Sequence, residues 1–186
     1  MIKGAVIVEN RDIDVPSIIE RHKKFLPESW EVIHISDDSV KTRHDYNKLL
    51  TTRSFWEKIP FDKVLIFQWD SGLLRKGIED FLYWDFIGAP WNWRESGGNG
   101  GLSLRTKDTM LKIIDHAAFD QAVSEGYNED IYFCDNIEKI GGKLAPRSVC
   151  EVFNVKTVYK IGTLGYHAID KFHSPEQIET IINQYK

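Results

Sequence analysis

The chemistry-bearing residues fall in a few separated stretches, and the clearest is Lys63-Val64-Leu65-Ile66-Phe67-Gln68-Trp69-Asp70-Ser71-Gly72. Its apolar run is too short for a helix to be the natural reading, and a Ser-Gly turn follows, so the spacing predicts a buried strand with a carboxylate at its C-terminal end. In open α/β sheets ligands sit beyond the carboxyl ends of the strands, which puts Asp70 where a metal or substrate is held. Ala5–Val8 is a second β-branched run, delivering Glu9, Asn10 and Arg11 to the same kind of edge, one that commonly meets a nucleotide.

Trp84, Trp91 and Trp93 lie within ten residues of one another, beside Gly88 and Pro90. Any one of them fits a core. The cluster also suits a sugar-stacking wall, because indole packs on the apolar face of a pyranose, and Trp91 and Trp93 are the candidates to line a site. Gly97-Gly98-Asn99-Gly100-Gly101 places four glycines in five residues, a composition that predicts a loop used for close backbone approach to a ligand or for motion. It runs into Leu102-Ser103-Leu104-Arg105, which reads as a buried strand. Neither the Walker A pattern nor the dinucleotide fingerprint is present. Glu129 and Asp130 follow Asn128, the expected N-cap of a helix running to about Ile140, where two acids in the first turn suit the helix dipole of any protein. Asp37-Asp38 reads as turn or cap residues, and His116, His167 and His173 have no local context that marks a ligand.

These residues must be carried by strand–helix alternation. A helix opens at Pro16 with Ile18, Ile19, His22, Phe25 and Leu26 at helical spacing and stops by Pro27; Trp30–Ile35 is the next strand, and one helical stretch covers Tyr46–Trp56. Short helices are expected over 77–82 and from Thr106 through His116, and a strand over Val155–Tyr159. Ser174-Pro175-Glu176-Gln177 is a capping box with proline at N1, opening a terminal helix whose buried face holds Ile178, Ile181, Ile182 and Tyr185. The pattern predicts an α/β fold with a mixed, mostly parallel central sheet flanked by helices. At 186 residues, 42% of them hydrophobic, one domain over 1–186 is expected.

A net charge of −4 gives no general reason to bind nucleic acid. Cys134 and Cys150 match no metal spacing and read as free thiols. The first apolar run is far shorter than the roughly 20 residues that span a bilayer, so no transmembrane segment is expected there. A chain starting at Met1 would be cytoplasmic; a domain excised from a larger protein would take its parent's location.

Four separated features together resemble the recurring motifs of glycosyltransferases of the GT-A fold, and nearly the whole chain resembles more closely a poorly characterised glycosyltransferase-like domain family, through six stretches in order. They are Val6–Arg11, Phe55-Trp56 ahead of Leu65–Ser71 with its Phe-Gln-x-Asp-Ser motif, Phe86–Trp91, Asn99–Arg105, Glu129–Phe133 and Gly165-Tyr166-His167. The resemblance implies a GT-A-like domain that moves a sugar from a nucleotide-diphosphate donor, a UDP- or GDP-sugar, to a hydroxyl acceptor such as a glycan. Asp70 resembles the last acid of the Asp-x-Asp metal motif. Gln68 replaces the first acid, so Mn²⁺ or Mg²⁺ would rest on Asp70, His167 and the donor phosphates, neutralising the leaving group. Asp130, beside Glu129, resembles the general base of an inverting enzyme. Glu9, Asn10 and Arg11 would meet the nucleobase or ribose, with Gln68, Trp69, Asn99, Gly100, Gly101 and Arg105 also on the donor side and Arg11 or Arg105 available to phosphate. Two other classes fit some of the same residues: a carbohydrate- or nucleotide-sugar-binding module without turnover, and a metal-dependent phosphodiesterase.

Overall fold

The computed structural model of the chain describes residues 1–119 and 126–186. Its centre is a five-stranded sheet in the order β2-β1-β3-β6-β5, built from β1 (Lys3–Val8), β2 (Glu31–Ile35), β3 (Lys63–Phe67), β5 (Phe86–Ala89) and β6 (Asn99–Thr106). β1 pairs in parallel with both β2 and β3, and β6 is antiparallel to β3 and β5. Four strands therefore share one direction and only β6 opposes them, giving the mixed, mostly parallel sheet that the alternation predicts.

The strands read as continuous apolar runs because both faces are covered. On one face Ala5, Ile7, Leu65, Phe67, Leu102 and Leu104 pack with α1 (Val15–Lys23) and α6 (Arg147–Phe153). On the other, Val6, Val8, Val64 and Ile66 meet α3 (Arg53–Lys58), α4 (Lys107–His116) and α5 (Glu129–Asn136). The period-2 alternation of a strand thus splits one run between two cores.

A second sheet of three strands, β4-β8-β7, is made of β4 (Ser71–Leu73), β7 (Asn154–Val155) and β8 (Gly165–His167). It forms with α7 (Pro175–Asn183) around Leu74, Val155, Ile169 and Ile181. The capping box at Ser174 and Gln177 is present in α7 as its sequence predicts.

Four local expectations change. Ser71-Gly72 is not a turn but part of β4, paired through Ser71 with His167. The single helix over 46–56 is two, α2 (Arg43–Leu50) and α3, separated at Thr51-Thr52, whose hydroxyls bond back to α2 carbonyls. The strand expected over 155–159 covers only Asn154–Val155, and α6 precedes it without having been anticipated.

The glycine-rich stretch is the fourth. Gly100 and Gly101 are buried inside β6, not in a loop. They are needed there by neighbours rather than by backbone torsion: a Cβ on Gly100 would fall on Glu129 and Arg105, and one on Gly101 on the His167 ring. The groups that approach these glycines closely are protein side chains, where the composition predicts a ligand or a moving loop. Overfilling such a contact costs about 1–3 kcal/mol. Gly101→Ala should lower stability by that amount in urea unfolding and shift the His167 imidazole resonances, while leaving those of the distant His116 in place.

Candidate active site

The parallel strands β1 and β3 end side by side and deliver Glu9–Arg11 and Gln68–Asp70 to one cleft of about 510 Å³. Its lining also includes Asn99 and Gly101 from β6, Glu129 and Asp130 from the start of α5, and His167 from β8. Stretches separated by up to 158 positions, Glu9 to His167, therefore meet in one place.

Asp70 is held at its second oxygen by the Lys171 ammonium at 3.0 Å. Its first oxygen has no hydrogen-bond partner and stands 3.2 Å from His167 Nε2. That nitrogen is also 3.0 Å from Gln68 Oε1, so the two flanking oxygens assign its proton there and leave Nδ1 bare and unpartnered. Burial pushes the Asp70 carboxyl upward, yet His167 and Lys171 outweigh it and hold the group well below the usual carboxylate range. Burial lowers the pKa of His167, against the attraction of Asp70.

Across the cleft, Asp130 Oδ2 accepts from the Gly100 backbone N–H at 2.8 Å and from Asn99 Nδ2 at 3.0 Å, while Oδ1 accepts from the Ile131 N–H at 2.8 Å. Asn99 turns its own oxygen to the Gly101 N–H at 3.1 Å. The segment 99–101 thus grips the carboxylate on one side and carries the His167 ring on the other. Burial, then the neighbouring Glu129 charge, push Asp130 up to about 6, against the Gly100 hydrogen bond. Glu129 itself is clamped by Arg105, Nη1 to Oε2 at 2.6 Å and Nη2 to Oε1 at 2.9 Å.

Some expected residues serve other ends. Arg105 is fully buried and engaged with Glu129 and Ser103, so it is not available to a substrate phosphate. Gly100 is shielded by the same side chains and does not line the cleft. Asn10 uses its amide on the carbonyls of Asp37 and Val40, and Arg11 pairs with Glu9 while lying 5.1 Å from the Trp69 ring. Trp91 and Trp93 stack on each other at 5.1 Å outside the cleft lining, with Arg94 over both rings. The structure does not bring them to the cleft.

Other lining residues were not marked as site residues by the sequence: Lys41, Arg43, Tyr46, Asn47, Asn128, Lys156, Lys171 and Phe172. Asn47 is set by helix α2 to bond both the Asn128 side chain and, through its oxygen, the Glu129 N–H at the head of α5. Asn128 stands at the N-cap position but makes this cross-link instead of a cap.

A model of a family of proteins of unknown function, DUF5672, matches residues 29–167, three quarters of the chain. The chain belongs to this family. No curated protein matches it. Among solved structures, it is similar to a glycosyltransferase involved in the glycosylation of the major capsid of PBCV-1, at 13% identity, with 96% of this chain and 98% of that one covered and a TM-score of 0.52. The crystal structure of A197 from STIV is also similar, at 12% identity, 79% and 80% coverage and a TM-score of 0.46. The first of these likenesses supports an α/β fold shared with a glycosyltransferase. Among the described residues, no helix is long and apolar enough to cross a membrane, and Cys134 and Cys150 are buried free thiols.

The raised Asp130 pKa has a consequence for stability. A carboxyl moved from 3.8 to about 6 on folding favours the folded state most below about pH 4, and that contribution is lost as pH rises through 6. Urea unfolding from pH 4 to 7 should show the wild type losing stability relative to Asp130→Asn over this interval; a constant difference between the two would exclude the shift.

Proposed function

We propose that the chain transfers a sugar from a nucleotide-diphosphate donor to a hydroxyl acceptor. The observation that carries this reading is the presence in one cleft of the Glu9–Arg11 strand end, the Asp70–His167 pair and the buried Asp130. Asp130, with a pKa near 6, is ionised at neutral pH yet basic enough to take the proton of an acceptor hydroxyl. The freed oxygen then attacks the anomeric carbon, and the glycosyl–phosphate bond breaks with its electron pair leaving on the diphosphate, a single displacement with inversion. The hydrogen bonds from Gly100, Asn99 and Ile131 fix the carboxylate while this occurs. Glu129, already neutralised by Arg105, supports Asp130 without itself moving a proton.

A divalent cation fits the donors on the other side of the cleft. Asp70 Oδ1 is unpartnered and Gln68 Oε1 lies on the other side of His167 Nε2; that nitrogen would join them as a ligand once its proton moved to the unpartnered Nδ1, giving an oxygen-rich set with one imidazole that suits Mn²⁺ or Mg²⁺. Among the described residues no three His, Cys, Asp or Glu side chains converge, so the remaining ligands would come from donor phosphates. Such an ion supplies positive charge to the leaving diphosphate when bound. The same scarcity of acids speaks against a phosphodiesterase built on clustered carboxylates. The Lys171 contact on Asp70 favours one rival, a module that binds nucleotide-sugars without turning them over.

Asp70→Ala should stay folded and lose Mn²⁺-dependent affinity for UDP or GDP by about tenfold or more, measured by calorimetry; unchanged affinity would remove Asp70 as the cation's ligand. Asp130→Asn should bind the donor normally and lose transfer by roughly 100-fold or more, within the usual range for a general base. Turnover of UDP- and GDP-sugars with and without Mn²⁺ decides between enzyme and module: tight binding with neither transfer nor hydrolysis in the wild type would establish the module.

A further inference from the structure

Of the cations around the cleft, Arg11 is paired with Glu9 and Lys171 with Asp70, and Lys41 and Arg43 are exposed to solvent. Lys156 is different. It lines the cleft, is mostly withdrawn from water, and its Nζ has no hydrogen-bond or ion-pair partner among the described residues. Its one neighbour of note is the Phe172 ring, 5.8 Å from the ammonium. A half-buried ammonium that lines a cleft and meets no protein oxygen among the described residues is placed to receive the anion of a ligand.

The backbone around Lys156 is held on both sides. Its carbonyl lies 2.6 Å from His173 Nε2, and the neighbouring Thr157 hydroxyl donates to the Pro90 carbonyl at 3.4 Å. β7 runs parallel to β8 with Asn154 opposite Gly165 and Val155 opposite Tyr166. Lys156 follows directly on β7 and lines the cleft together with His167, which is in turn paired with Ser71 next to Asp70. Asp130 and Asp70 are the two carboxylates whose charges act most on the ammonium, Asp130 the more strongly. Lys156 is therefore a firmly mounted cation that shares the cleft with both acids and feels the charge of each.

We propose that Lys156 is the anion-binding residue of this cleft, taking an oxyanion of the substrate. Resting on the transferase reading above, the anion is either the diphosphate that departs with the broken glycosyl–phosphate bond or the carboxylate of an acidic sugar. Both present the same oxygens to an ammonium. In the first case Lys156 stabilises charge that develops during the reaction and acts on kcat; in the second it selects an acidic donor or acceptor and acts on KM.

Calorimetry with inorganic pyrophosphate and with glucuronate, each with and without Mg²⁺, tests the site directly on the intact chain. At least one of the two should bind the wild type, weaken tenfold or more in Lys156→Met, and recover most of its affinity in Lys156→Arg. Dependence confined to pyrophosphate identifies the leaving group as the source, and dependence confined to glucuronate identifies the acidic sugar. Lys156→Gln, a polar replacement, serves the same comparison if the Met variant fails to fold. Equal affinities in wild type and variants, or no binding of either anion by the wild type, overturn the proposal. A Lys156-dependent anion site in a chain that turns over no nucleotide-sugar would leave this inference standing and remove the transferase reading.

Discussion

A guanidinium with no access to water holds the two halves of the cleft together. Arg105, on the one strand that opposes the rest of the sheet, reaches the first residue of α5 and binds both oxygens of Glu129, with the Phe86 and Phe133 rings 4.8 and 5.6 Å away. Both charges are desolvated, so the pair is poor evidence for net stability, but removing either partner leaves an uncompensated buried ion at a cost of about 3–5 kcal/mol. That asymmetry pins the head of α5 against β6. Asp130 follows Glu129 in the chain and inherits its position from this clamp.

The strand segment 99–101 transmits that constraint. Glycines at 100 and 101 leave room for Glu129 and Arg105 on one side and for His167 on the other, and Asn99 links the Asp130 carboxylate to the Gly101 N–H. The basic and the cation-binding ends of the proposed reaction thus share three residues of backbone. Charges are arranged in contrasting ways at the two ends. Asp70 is held ionised by His167 and the Lys171 ammonium, whereas Asp130 is buried next to another acid and pushed up to about 6. Two carboxylates in one cleft are in this way fitted to different tasks by their surroundings.

Much of the scaffold was legible in the sequence because it depends on local patterns. Continuous apolar runs such as Ala5–Val8 and Val64–Phe67 mark strands covered on both faces, and Ser174-Pro175-Glu176-Gln177 marks a helix start by its own hydrogen bonds. Asp70 and Glu9–Arg11 could be placed at the cleft because a parallel strand has a functional end. The glycine stretch misled for a physical reason: composition shows that side chains are absent, but not that neighbouring side chains fill the space. Trp91 and Trp93 were read from residue type, whereas their orientation is set by the packing of the segment after β5.

The apolar runs that form the central strands, the strand ends that carry acids, and the capped terminal helix are therefore properties of the amino-acid sequence itself, since each follows from nearest-neighbour sterics and periodic burial. Only the tertiary structure decided what each charged group does. Arg105 looked like a phosphate ligand and is a buried clamp; Lys156 had no distinguishing context and is the cleft's mostly buried cation without a protein partner among the described residues. Such roles depend on which distant chain segment supplies, or withholds, the opposite charge. Short strands such as β7 and β8 make those meetings, and they are too brief for any local pattern to announce them.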